Sequence, residues 1–156
     1  MAKFVFRMAS FLNLKEKLEE QKKLEYGTAL AALEAERMKL AELEGELSEK
    51  LSEFSQMVKI KIEPDKFALY NMYIELLKQR IVQQKTEVKK AEEFAEQKRL
   101  ILVEAMRERK SLEIIKEKDY DIFKEEEKRR EQRFVDEIVS YRYSDGEAGG
   151  NGGTNS

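Results

Sequence analysis

The stretch Met57-Val58-Lys59-Ile60-Lys61-Ile62-Glu63-Pro64-Asp65-Lys66 decides how this chain folds. Pro64 is the only proline in 156 residues. It drives Glu63 out of the α region, and its own fixed φ suits the first turn of a new helix. Asp65 places a negative side chain near that helix's positive end. The alternation of Val58, Ile60 and Ile62 would also fit a few extended residues, but a lone strand has no partner. The segment reads as a turn over about residues 58–63, between a helix over 8–58 and a second over 65–141.

Both flanks carry a seven-residue apolar repeat. Upstream it runs Tyr26, Leu33, Leu40, Leu47, Phe54, broadened by Leu30, Leu43 and Leu51. Downstream it runs Phe67, Ile74, Ile81, Val88, Ala95, Leu102, with Tyr70, Leu77, Ala91, Ala105 and Leu112 three or four residues away. That period belongs to a coiled-coil seam. The expected fold is all-α, an antiparallel two-helix coiled coil over residues 1–143, in which positions whose numbers add to about 124 face each other. Arg37, Glu44, Gln84 and Lys98 fall in layers where an apolar residue is expected. They read as tolerated edge residues, or else as loose spots that permit bending.

Composition agrees. Charged residues make up 40% of the chain and apolar ones 41%, with both signs interspersed and a net charge of −2. A chain this polar fills a seam rather than a sphere. The cations form no block, which disfavours nucleic acid. No apolar stretch approaches the ~20 residues of a membrane span, and the N-terminus lacks a signal-peptide pattern, so a soluble protein is expected. Gly146, Gly149, Gly150, Gly152 and Gly153 crowd the end, so residues 144–156 read as a flexible tail.

The chain has no His and no Cys. The commonest general base and the thiolate nucleophile are therefore missing, as is any Cys/His zinc site. Carboxylates on exposed helices pair with Lys and Arg rather than bind metal, and the Gly-rich end lacks the Lys-Ser/Thr of a phosphate loop. No enzyme, cofactor, metal or small-molecule ligand is expected. The expected function is binding other proteins.

The opening Phe4-Val5-Phe6, followed by Phe11-Leu12-Asn13-Leu14-Lys15-Glu16-Lys17-Leu18 and then Glu-Glu-Gln-Lys-Lys, resembles the N-terminus of the flagellar FliJ family. The likeness extends through the break near residue 60 to about residue 141; the Gly-rich end lies outside it. It implies an antiparallel coiled coil similar to the central shaft of rotary ATPases, a non-catalytic part of the flagellar type III export apparatus. The implied partners are the export ATPase ring, the export-gate membrane protein and export chaperones. The implied place is the cytoplasm, peripheral at the cytoplasmic face of the membrane, with the free chain a monomer. A generic scaffold or dimerising stalk, or a holdase-type chaperone, remains the alternative.

Two contact surfaces are expected. By resemblance, a gate-binding face lies near the turn, where Tyr73, Leu76 and Arg80 sit outside the seam series. The second surface is the far end of helix two, which outruns helix one: at ~1.5 Å per residue the two would span about 115 Å and about 76 Å. In this overhang, residues 118–141, a spacer with Arg129 and Arg130 and expected pairs Glu125–Arg129 and Glu126–Arg130 leads to a stripe of Phe134, Ile138 and Tyr141. The resemblance makes this end ring-facing. Phe4, Phe6 and Phe11 are expected to pack on helix two near Leu112, Ile115, Ile122 and Phe123.

Overall fold

The structure is a computed structural model and describes residues 2–61 and 63–148. Two α-helices make up the fold: α1 (Ala9–Lys59) and α2 (Pro64–Ala148), with 51 and 85 residues. No strand occurs among the described residues. Lys59 sits in the last turn of α1 and Asp65 in the first turn of α2, each complementing its helix dipole. The break is tighter than expected, since Ile60 N–H already closes a turn on the Met57 carbonyl at 3.1 Å. At the other end α2 runs on to Ala148. Ser144 to Glu147, expected in the tail, are helical, and residues 149–156 lie outside the described part.

Two compact units share the helices: Met1–Leu14 with Arg109–Ser156, and Lys15–Glu108. In the Lys15–Glu108 unit α1 and α2 pack against each other. Contacts of α1 residues climb along the chain as their α2 partners descend. Glu25 meets Lys98 at 3.6 Å, Arg37 meets Glu92 at 3.3 Å, and Glu46 accepts a hydrogen bond from the Tyr73 hydroxyl. The Phe54 ring lies 6.3 Å from that of Tyr70 and 5.2 Å from that of Phe67. Within this unit the helices therefore run antiparallel, in the expected register.

The buried layer comprises Leu33, Ile74, Leu77, Ile81, Val88 and Ala95, all from the two heptad series and their companions, together with Ala29. Ala29, Leu33, Val88 and Ala95 form one cluster, with Leu40 and Ala91 packed against it.

One part of the expected pattern is corrected. The second seam position of α1 comes three residues after Tyr26, Leu33, Leu40 and Leu47, so the inward residues are Ala29, Glu36, Leu43 and Lys50. Leu30 and Leu51 are exposed at the edge, as are Arg37 and Glu44. Leucines at 30, 43 and 51 fall on both sides of the seven-residue series, so hydropathy alone does not choose the side. Packing chooses it: the small Ala29 lets the cluster close.

Charged residues in the seam have partners. Gln84 Nε2 donates to the Glu36 backbone carbonyl at 2.9 Å and to the Glu36 carboxylate. Lys98 pairs with Glu25, and Lys15 reaches Glu108 at 2.7 Å. Glu19 occupies the same heptad position as Tyr26, is buried, and has Lys23 Nζ at 3.6 Å. Among the described residues no buried side-chain nitrogen or oxygen lacks a partner, as a polar seam requires.

Two outcomes follow from this packing. Leu77 is 0% exposed and its neighbour Leu76 is 42% exposed. In urea unfolding, Leu77→Ala costs about 2–5 kcal/mol, whereas Leu76→Ala stays within about 0.5 kcal/mol. The second concerns acid. The hydrogen bond from Gln84, with smaller help from Lys39, holds the Glu36 carboxyl below its ordinary value. A lowered folded pKa gives stability that is present above the unfolded value and lost as pH falls through the folded one. Melting temperature therefore drops as pH falls below the ordinary value of 4.5, and Gln84→Leu makes that drop shallower.

Candidate protein-binding surfaces

In the Lys15–Glu108 unit, the first turns of α2 send one stripe into the seam and another outward. Ile74 and Leu77 are buried; Leu69, Met72 and Leu76 are exposed, Met72 at 71%. These three recur at i, i+3 and i+7, so they share one face. With Asn71, Tyr73 and Gln79 they line a shallow groove. Leaving Leu and Met in water along a continuous strip is what a partner surface looks like before the partner arrives.

Tyr73 is not the outward anchor that its place in the sequence implied. It is half-buried, its hydroxyl donates to the Glu46 carboxylate, and Lys50 Nζ lies 5.8 Å from its ring centre. That hydrogen bond is the main reason its phenol is held above the ordinary value. Lys50 in turn pairs with Glu53 at 3.3 Å, which raises its own pKa. Tyr73 thus ties α2 to α1 and shows only an edge to the groove. Leu76 is in the groove as an outward residue, and Arg80 is exposed beside a separate groove with Leu43, Gln83 and Glu87. Leu69 and Met72 were missed in the sequence, although their spacing from Leu76 marks them as one face outside the heptad series.

In the other unit, the opening aromatics are structural. Phe6, Leu12 and Leu112 form a buried cluster, with Phe4 and Met8 packed against it. The Phe4 ring meets Tyr120 edge-on at 5.2 Å and Phe123 at 5.5 Å, within the range where aromatic pairs attract. Ala9 N–H on the Phe6 carbonyl at 3.2 Å turns the segment into α1. Phe11 does not join this cluster: it is 48% exposed, and Leu12 takes the buried place. Of the expected contacts on α2, Leu112 and Phe123 are made, while Ile115 and Ile122 are exposed.

Further along α2, Arg129 and Arg130 are exposed. Arg130 pairs with Glu127 at 3.3 Å rather than with Glu126. Gln132 donates to Asp136 at 3.2 Å, another short-range tie along the helix. Phe134, Ile138 and Tyr141 are exposed on one face, and Val135 and Val139 are exposed beside them. Tyr141 lies inside the helix, its carbonyl accepting a bond from the Ser144 hydroxyl at 2.9 Å. No group of three or more metal-ligating side chains occurs among the described residues. What these surfaces offer chemically is apolar area flanked by charge, which is the chemistry of contact.

A protein-family model described as Flagellar FliJ protein matches residues 4–148. No curated protein and no solved structure matches the chain.

The N-terminal packing makes a local prediction. Phe6→Ala removes a buried ring and costs about 3–5 kcal/mol, read as faster hydrogen exchange at Leu112 and Tyr120.

Proposed function

The chain belongs to the flagellar FliJ protein family, a component of the flagellar protein export apparatus, and on that premise we propose that it is a non-catalytic shaft linking the export ATPase ring to the export-gate membrane protein. Escort of export chaperones belongs to the same reading, with the free chain a cytoplasmic monomer that works peripherally at the membrane face. The observation that carries it is the division of labour on α2. One stripe of that helix is consumed by the seam, while Leu69, Met72 and Leu76 near the turn, and Phe134 to Tyr141 later on, stay exposed.

In this reading the Leu69–Met72–Leu76 face, with Arg80 close by, meets the gate. The 85 residues of α2 against the 51 of α1 leave an overhang that meets the ring through Phe134, Ile138 and Tyr141. In the same reading Arg129 and Arg130, both exposed, belong to that contact. Among the described residues no helix is long and apolar enough to cross a membrane.

A truncation after Lys124 tests the ring assignment, because it keeps Phe123 under Phe4 and removes the stripe. The full chain raises the ATPase's hydrolysis rate, and the truncated chain fails to. Equal stimulation by both removes the overhang from the ring contact. Light scattering of the full chain separates the competing classes: a shaft is monomeric, whereas a dimer supports a stalk.

A further inference from the structure

The turn itself carries a surface that neither the seam nor the two faces above account for. Ile60 is 74% exposed and Val58 57% exposed, and they are flanked by Lys59, Lys61 and Lys66. The seam is already closed behind them by the Phe54, Phe67 and Tyr70 rings, so these aliphatic side chains have no cover in the Lys15–Glu108 unit. We propose that this turn docks on an anionic lipid surface, with Val58 and Ile60 entering the headgroup region and Lys59, Lys61 and Lys66 reaching the phosphates.

Residue chemistry favours lipid over protein here. Protein interfaces gather Tyr, Trp and Arg and are depleted in Lys. Residues 57–66 contain none of the first three, and every cation among them is Lys. Lysine laid beside exposed aliphatic residues buries its stem with them and lifts its ammonium to the phosphate level. Glu63 and Asp65 oppose the three lysines, while Glu53, which lines a shallow groove with Ile60, Lys61, Glu63 and Lys66, is already paired with Lys50 at 3.3 Å. Positive charge is left in excess. Two aliphatic side chains and a small charge excess give weak, reversible and salt-sensitive docking. The inference stands on the turn alone, so its failure leaves the export reading untouched.

The full chain is floated with vesicles of phosphatidylcholine alone or mixed with phosphatidylglycerol. Anionic vesicles carry the protein at low salt and release it at high salt, and neutral ones do not carry it. Lys61→Glu lowers the bound fraction by at least about fivefold, and Ile60→Asp lowers it comparably. Leu24→Asp, at an exposed position far along α1 from the turn, leaves it unchanged. Circular dichroism confirms that all three variants keep the parent helicity. Absence of flotation, equal flotation with neutral vesicles, or equal loss with Leu24→Asp overturns the proposal. So do turn variants that still float but no longer bind the soluble part of the export gate, which would assign the turn to a protein partner.

Discussion

Polar side chains paired across the seam hold the register on which the rest of the molecule depends. Gln84 reaches both the backbone and the carboxylate of Glu36, Arg37 meets Glu92, and Lys98 meets Glu25. Apolar contacts alone tolerate a slide of one heptad, since one leucine layer resembles the next. A slide of that size here would set Glu36 against an apolar layer and leave Gln84 without its acceptor, and unpaired polar groups in a seam are unfavourable. The exposed ion pairs are individually weak. Their weight lies in singling out one alignment.

Register then determines what is left over. With Ala29, Leu33, Ile74, Leu77, Ile81, Val88 and Ala95 turned inward, Leu69, Met72 and Leu76 must face out. Exposed apolar side chains occur along both helices, Leu24 and Met38 among them; what marks Leu69, Met72 and Leu76 is that they share one face and line one groove. The same logic separates Phe4 and Phe6, which are spent on closing the N-terminal end, from Phe134 and Tyr141, which are not.

Much of this was legible in the sequence. Pro64 marked the break, and the seven-residue series picked out Leu33, Ile74, Ile81, Val88 and Ala95 as core. Of the N-terminal aromatics, Phe4 and Phe6 were correctly sent to Phe123 and Leu112, whereas Phe11, Ile115 and Ile122 are exposed. Three features escaped for physical reasons. The companion positions of α1 could not be read because Leu30, Leu43 and Leu51 straddle the series, and only packing around Ala29 resolves the side. Tyr73 looked outward by spacing, but a hydroxyl long enough to reach Glu46 draws it to the seam edge. Helix α2 outlasted its apolar pattern because a helix once started adds residues cheaply, even through Asp145 and Gly146.

The central claim is that both halves of the seam come from one chain, in this antiparallel register. The chain has no cysteine, so Leu33→Cys with Val88→Cys gives a double variant with thiols at only two sites. A short bifunctional thiol reagent applied at low protein concentration, followed by denaturing electrophoresis, reads the pairing directly. A cross-link within single chains, seen as a monomer of altered mobility, is expected, and no cross-link when Val88→Cys is replaced by Ile74→Cys, about 21 Å along α2 from Val88 at ~1.5 Å per residue. Cross-linked dimers as the main product would contradict it, because the seam would then join two chains and the molecule would be a stalk rather than a shaft.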